Sequence, residues 1–190
     1  SGKLMAVAGA ELDDKTWHRV QHEAFHQFAH HTLGAEIPPW LNEGLAEYFG
    51  EAEFTGDGML AGLVPPVRQQ RVVEAMKQGT FVPVERLMLM TEDQWNDALE
   101  RQHYDQAWSL DVYLIHGDDG RYAPKFSEFL RLCSQGRGWL QAWKATFVNI
   151  DGLERGWARW WMDLPADVTV AGYRPATART LTSFWAPALA

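Results

Sequence analysis

Five residues between His22 and Glu47 have the types and spacing to bind a metal ion and use it. His22 and His26 stand four apart in H-E-x-x-H, and Glu43 and Glu47 stand four apart in N-E-G-L-A-E. In an α-helix, positions i and i+4 lie nearly above one another, so both imidazoles can reach one ion. Glu23 lies roughly 100° round the helix from His22 and roughly 60° from His26. That puts its carboxylate beside such an ion and not on it, where a general base can take a proton from a bound water. Catalytic zinc usually has three protein ligands and an open position. Glu43 completes a His/His/Glu set. Glu47 shares its face and is expected to accept the second N–H of a ligand histidine, His22, which fixes ring orientation and tautomer.

Two helices must position these groups. The first is expected over about 15–33, with Trp17, Val20, Ala24 and Phe28 as its buried stripe and Gly34 as its stop. Asp13 or Asp14 can cap it. Ile37-Pro38-Pro39 cannot continue a helix, but Pro39 can begin one, because its missing N–H would be unpaired there anyway. The second helix then runs over about 40–49 and ends at Gly50. The break between them lets the second helix fold back, so that Glu43 faces the two histidines. His18, His30 and His31 occupy the first helix too. A third helical histidine does not easily reach an ion held one turn away, so these three read as packing or surface residues.

The rest of the chain reads as scaffold. LMAVAG (4–9) is a candidate strand, and 51–63 a hairpin turning at Gly56-Asp57-Gly58. Helices are expected after Pro65-Pro66 up to Gln78 (stopped by Gly79), near 84–90, and from a Thr91/Gln94 capping box through Trp95 and Leu99. Others follow over 104–116, 123–134 and 138–147, and one capped by Asp151 runs through Trp160 and Trp161. VTVAGY (168–173) is a further candidate strand. Residues 1–164 read as one domain and 165–190 as a tail packed on it.

His22-Glu23-Ala24-Phe25-His26 together with Trp40-Leu41-Asn42-Glu43-Gly44-Leu45-Ala46-Glu47-Tyr48-Phe49 resemble the gluzincin zinc metallopeptidases, the group of thermolysin and the zinc aminopeptidases. Closest are the small bacterial domains of the peptidase MA-like group. The resemblance covers about residues 17–49, with an echo at 103–110. It implies an α+β, helix-dominated, zincin-like fold with a small β element and a C-terminal helical bundle. It implies one Zn²⁺ on His22, His26 and Glu43, catalysis by Glu23, and Glu47 supporting a ligand histidine. Aminopeptidase-like members carry an oxyanion-stabilising tyrosine at the start of a later helix, which maps here onto Tyr104. His103 is the alternative, since thermolysin uses a histidine. Sixteen residues separate His26 from Glu43, fewer than in the large gluzincins. The G-x-M-E-N motif that grips a substrate's amino group is absent, so aminopeptidase action is not supported.

The expected reaction is hydrolysis of a peptide or protein substrate by a zinc-activated water with Glu23 as general base. Alternatives are a non-catalytic zinc-binding or interaction domain, a hydrolase of a non-peptide amide such as a cell-wall cross-link, and a helical protein with an accidental motif. The net charge of −8 and the lack of a dense Lys/Arg run argue against nucleic acid as a partner. No apolar run approaches the roughly 20 residues of a membrane span. Cys133, in FLRLCS, reads as a small buried hydrophobe. The chain begins Ser1-Gly2 without Met. A removed signal for secretion or periplasmic export is therefore compatible with it, and location and oligomeric state stay open.

Overall fold

The computed structural model describes residues 14–34, 36–54, 58–98, 101–147 and 150–165. The expected strands at 4–9 and 168–173, Asp13 as a cap, the turn at Gly56-Asp57 and the tail beyond residue 165 lie outside them; Asp14, the other expected cap, is the first residue of α1. The architecture is helix-dominated α+β: α1 (Asp14–Thr32), α2 (Pro39–Gly50), β1 (Glu53–Phe54), β2 (Met59–Leu60), α3 (Pro66–Gln78), α4 (Val84–Met88), α5 (Glu92–Ala98), α6 (Arg101–Gly120), α7 (Ala123–Ser134), α8 (Trp139–Thr146) and α9 (Ile150–Asp163). The β element is one antiparallel ladder pairing Glu53 with Leu60 and Phe54 with Met59.

Local chemistry accounts for most boundaries. Gly34 (φ +90°) and Gly79 (φ +64°) take the left-handed conformation after α1 and α3, which costs a glycine nothing. Pro39 opens α2 and Pro66 opens α3, each with a proline as N-cap. At α5 the capping box closes both ways: Thr91 N donates to Gln94 Oε1 at 3.0 Å, and Gln94 N donates to Thr91 Oγ1 at 3.3 Å. The α6 backbone leaves helical geometry at Gly117, Asp118 and Asp119, just past the helix end expected at 116. Two boundaries differ. Helix α6 begins at Arg101, earlier than expected, and α9 begins at Ile150, so Asp151 lies in its first turn and not at its cap.

Helix α2 is the hub, packed between α1 and α6. Trp40, Leu41, Gly44, Leu45, Ala46 and Tyr48 are buried, as a helix enclosed on several sides requires. Trp40 stacks on Phe129 of α7 and meets Trp143 of α8 edge-on. Trp108 of α6 packs on Trp161 of α9. Cys133 is buried, and burial pushes its thiol up to about 11.

The buried stripe of α1 is not the expected one. Trp17 is 52% exposed and Ala24 is exposed, whereas Phe25, Ala29 and Leu33 are buried. The reason is angular. Trp17, Val20, Ala24 and Phe28 lie roughly 160–240° round the helix from His22. Once His22 and His26 face α2, Trp17 and Ala24 face away, Phe28 keeps only a partly buried place against the core, and the apolar residues sharing the histidine side are the ones fully buried.

Gly44 sets the distance between α2 and α6. A Cβ there would collide with Asp111 Oδ2 and lie 2.9 Å from the backbone C and O of Ala107. Alanine normally stabilises a helix over glycine by about 1 kcal/mol. Here backbone must give way, so Gly44→Ala should instead destabilise by about 1–3 kcal/mol. Urea unfolding measures this; a gain in stability would mean the two helices are not in such contact.

Two buried groups on α6 give opposite responses to acid. Tyr48 Oη lies 2.9 Å from His116 Nε2, and burial lowers His116 from 6.5 to about 4. Between those values the unfolded chain takes the proton first. This contribution is present above pH 6.5 and is lost as pH falls towards 4, about 3 kcal/mol in all. Asp111 is fully buried with neither carboxyl oxygen hydrogen-bonded, and burial raises it well above its ordinary value. It favours folding as pH falls, in an overlapping window. The test is therefore a difference: between pH 7 and pH 4.5, wild type should lose stability relative to His116→Asn.

Candidate metal centre

The inner face of α1 carries His18, Gln21, His22 and His26 against the polar side of α2, where Asn42, Glu43 and Glu47 project. Gln21 Nε2 donates to the carbonyls of Gly50 (3.2 Å) and Ala52 (3.0 Å), tying α1 to the end of α2. Phe25 stacks on Phe49 with ring centroids 5.1 Å apart. These contacts fix the facing of the two helices, and with it the donor geometry.

His22 Nε2 and His26 Nε2 lie 3.0 Å apart. Glu43 Oε2 is 3.4 Å from His22 Nε2, and Glu43 Oε1 is 3.6 Å from His26 Nε2. Tetrahedral zinc with bonds near 2.0–2.1 Å needs ligand atoms roughly 3.3–3.4 Å apart. The donor types and their close approach fit such an ion, and the three residues form a group able to hold a metal.

Each histidine's other nitrogen has a fixed acceptor. His22 Nδ1 lies 3.3 Å from Glu47 Oε1, the partner expected from the sequence. His26 Nδ1 lies 3.0 Å from Asn42 Oδ1, which was not anticipated. With Nδ1–H donating in both rings, both Nε2 atoms are left as donors to a metal ion. Asn42 stands directly before Glu43 in the motif, so its position was the available signal. Burial opposes charge on His22, but its hydrogen bonds with Glu43 and Glu47 outweigh that and push it up to about 9. Burial also works against the Glu47 carboxylate. The hydrogen bonds from His18 and His22 and the nearby Arg68 charge prevail, holding it well below the usual carboxylate range.

Glu23 is exposed on α1, on the flank that helix geometry assigns it. Tyr104 is half-buried in the first turn of α6, edge-on to Trp95 at 5.4 Å. It lies one turn before Ala107, which abuts Gly44. Burial raises its pKa, and the charges of Glu43 and Glu47 add to that, so its phenol lies within their field. His103 is buried beside Trp95, with Nδ1 lacking a hydrogen-bond partner. It lines a groove with Val82, Pro83, Leu89 and Met90. His30 and His31 are exposed. His18 packs on Gly50 and Glu47.

Residues 17–137 match the family described as "Protein of unknown function (DUF1570)". The chain belongs to this family. The match covers α1 from Trp17 onward and all of α2 to α7. No curated protein and no solved structure matches the chain.

Proposed function

We propose that this chain is a zinc-dependent metallopeptidase of gluzincin type, built on a zincin-like pair of helices. The observation that carries this reading is the cluster in which His22 Nε2 and His26 Nε2 lie 3.0 Å apart and each faces one Glu43 carboxylate oxygen, at 3.4 and 3.6 Å. Second-nitrogen acceptors on both imidazoles support it. A chance H-E-x-x-H has no reason to acquire Glu47 and Asn42 in those places.

Held by these residues, zinc would supply a Lewis acid that lowers the pKa of a water and polarises a carbonyl oxygen. Glu23 takes the proton of the attacking water and passes it to the leaving amine as the C–N bond breaks. Its exposed setting leaves it accessible to substrate and solvent. Tyr104 keeps its proton at neutral pH and donates a hydrogen bond to the oxyanion that develops on the carbonyl.

The test is metal content of the purified protein, then cleavage of a peptide library beside cell-wall fragments, with and without chelator. Chelator-sensitive peptide cleavage by a one-zinc protein supports the reading. Zinc without cleavage of either substrate means a binding domain. Cleavage of wall fragments alone moves the activity to a non-peptide amide, and absence of metal removes the reading altogether.

A further inference from the structure

Glu47 meets three cationic or donor groups at once. His22 Nδ1 lies 3.3 Å from its Oε1, while His18 Nε2 at 3.3 Å and Arg68 Nη1 at 2.7 Å both approach Oε2. Arg68 comes from α3 and is buried. The same Nη1 donates to Glu51 Oε1 at 2.8 Å. Its Nε is 2.9 Å from Asp105 Oδ1, an ion pair without the alignment of a hydrogen bond. Its guanidinium carbon lies 4.5 Å from the centroid of the Trp108 ring. Asp105 is itself gripped by Arg71, through Nε at 2.6 Å and Nη2 at 2.8 Å. A guanidinium fixed on so many sides is a rigid positive charge against Glu47.

That charge matters because, among the described residues, two donor sets share His22. One is His22, His26 and Glu43; the other is His18, His22 and Glu47. Nothing in the residue types favours one over the other, since each is His/His/Glu. What differs is the surroundings. The ion pairs of Glu43 are with His22 and His26, whereas Glu47 already carries Arg68 on the oxygen that His18 approaches. A divalent ion at the second set would have to displace the guanidinium or sit against it, at a Coulomb cost that burial enlarges.

We infer that Arg68 is a positioning residue that decides which of the two sets takes the metal. It keeps Glu47 as the outer acceptor for His22 Nδ1 and denies that carboxylate to the ion. The inference rests on the metal-centre reading above, but not on the reaction proposed for it.

The experiment measures zinc affinity of the whole chain by competition with a chromogenic chelator. The variants are Arg68→Met and Arg68→Lys, each with and without His18→Ala, with circular dichroism confirming the fold. In the wild-type background His18→Ala should leave the affinity within about twofold. Arg68→Met should weaken binding by about 10–100-fold, the usual effect of losing an outer-shell partner. What binding remains should depend on His18, falling at least about tenfold further in the double variant as the second set comes into use. Arg68→Lys keeps the charge and should keep binding independent of His18. Unchanged affinity in Arg68→Met overturns the inference. So does a strong His18 dependence in wild type, a measurement that stands even if Arg68→Met does not fold. A wild-type chain that binds no zinc overturns both this and the proposed function. Zinc bound as described but without hydrolysis overturns the proposed function alone.

Discussion

Glu23→Gln should remove hydrolysis while leaving the zinc in place, with kcat falling by about 10³-fold or more. General-base catalysis contributes about 10²–10⁴ on its own. Here one group is asked both to take the proton of water and to return it to the leaving amine, so the upper part of that range applies. Glutamine keeps the shape and hydrogen-bonding reach of the side chain but cannot accept the proton. Structural side effects should be small, because Glu23 is exposed on α1 and surface substitutions typically stay within about 0.5 kcal/mol. The checks are kcat on a cleavable peptide, zinc stoichiometry and the unfolding midpoint. Full activity in this variant would remove Glu23 from the mechanism. Lost activity with lost zinc would make it a metal-holding residue instead.

The candidate metal centre was legible in the sequence because the spacings that define it are local. Four-residue spacing puts His22 over His26 and Glu43 beside Glu47 on any helix. Gly34 and the two prolines mark the turn between the helices without reference to the fold. Turn and cap chemistry located α3 and α5 for the same reason. What was not legible depended on how elements meet. The sequence offered α1 two incompatible faces, a histidine face and a Trp17-Val20-Ala24-Phe28 stripe, and only packing against α2 decides between them. Arg68 lies in PVRQQRVVEA, where an arginine ordinarily reads as solvent-facing. Its burial requires Glu47, Glu51, Asp105 and Trp108 from two other helices, at sequence separations no periodicity can reach. Asp111 is similar: an acid in an otherwise apolar run, buried because Gly44 brings α2 against it.

The metal ligands should behave differently from the groups behind them, and His22→Ala and His26→Ala give the clearest contrast. Each removes one of the three donor side chains, leaving zinc with too few protein ligands. The loss of affinity should therefore exceed the roughly 10–100-fold typical of an outer partner. The protein should come through purification without stoichiometric metal. The fold should survive in both, for reasons visible around each ring. Without His22, Glu47 still has His18 at 3.3 Å and Arg68 at 2.7 Å, so no buried carboxylate is stranded. Without His26, Asn42 loses its imidazole partner at 3.0 Å, but both side chains are only half-buried and water can replace the bond. Metal loss with an unfolding midpoint near that of the chelator-stripped wild type is thus the expected pair of results, measured by elemental analysis and thermal unfolding. Asn42→Ala is the matching control: it should weaken zinc by only the outer-partner amount, because His26 Nε2 remains. Stoichiometric zinc retained in both histidine variants would place the ion elsewhere and leave the H-E-x-x-H motif without its metal.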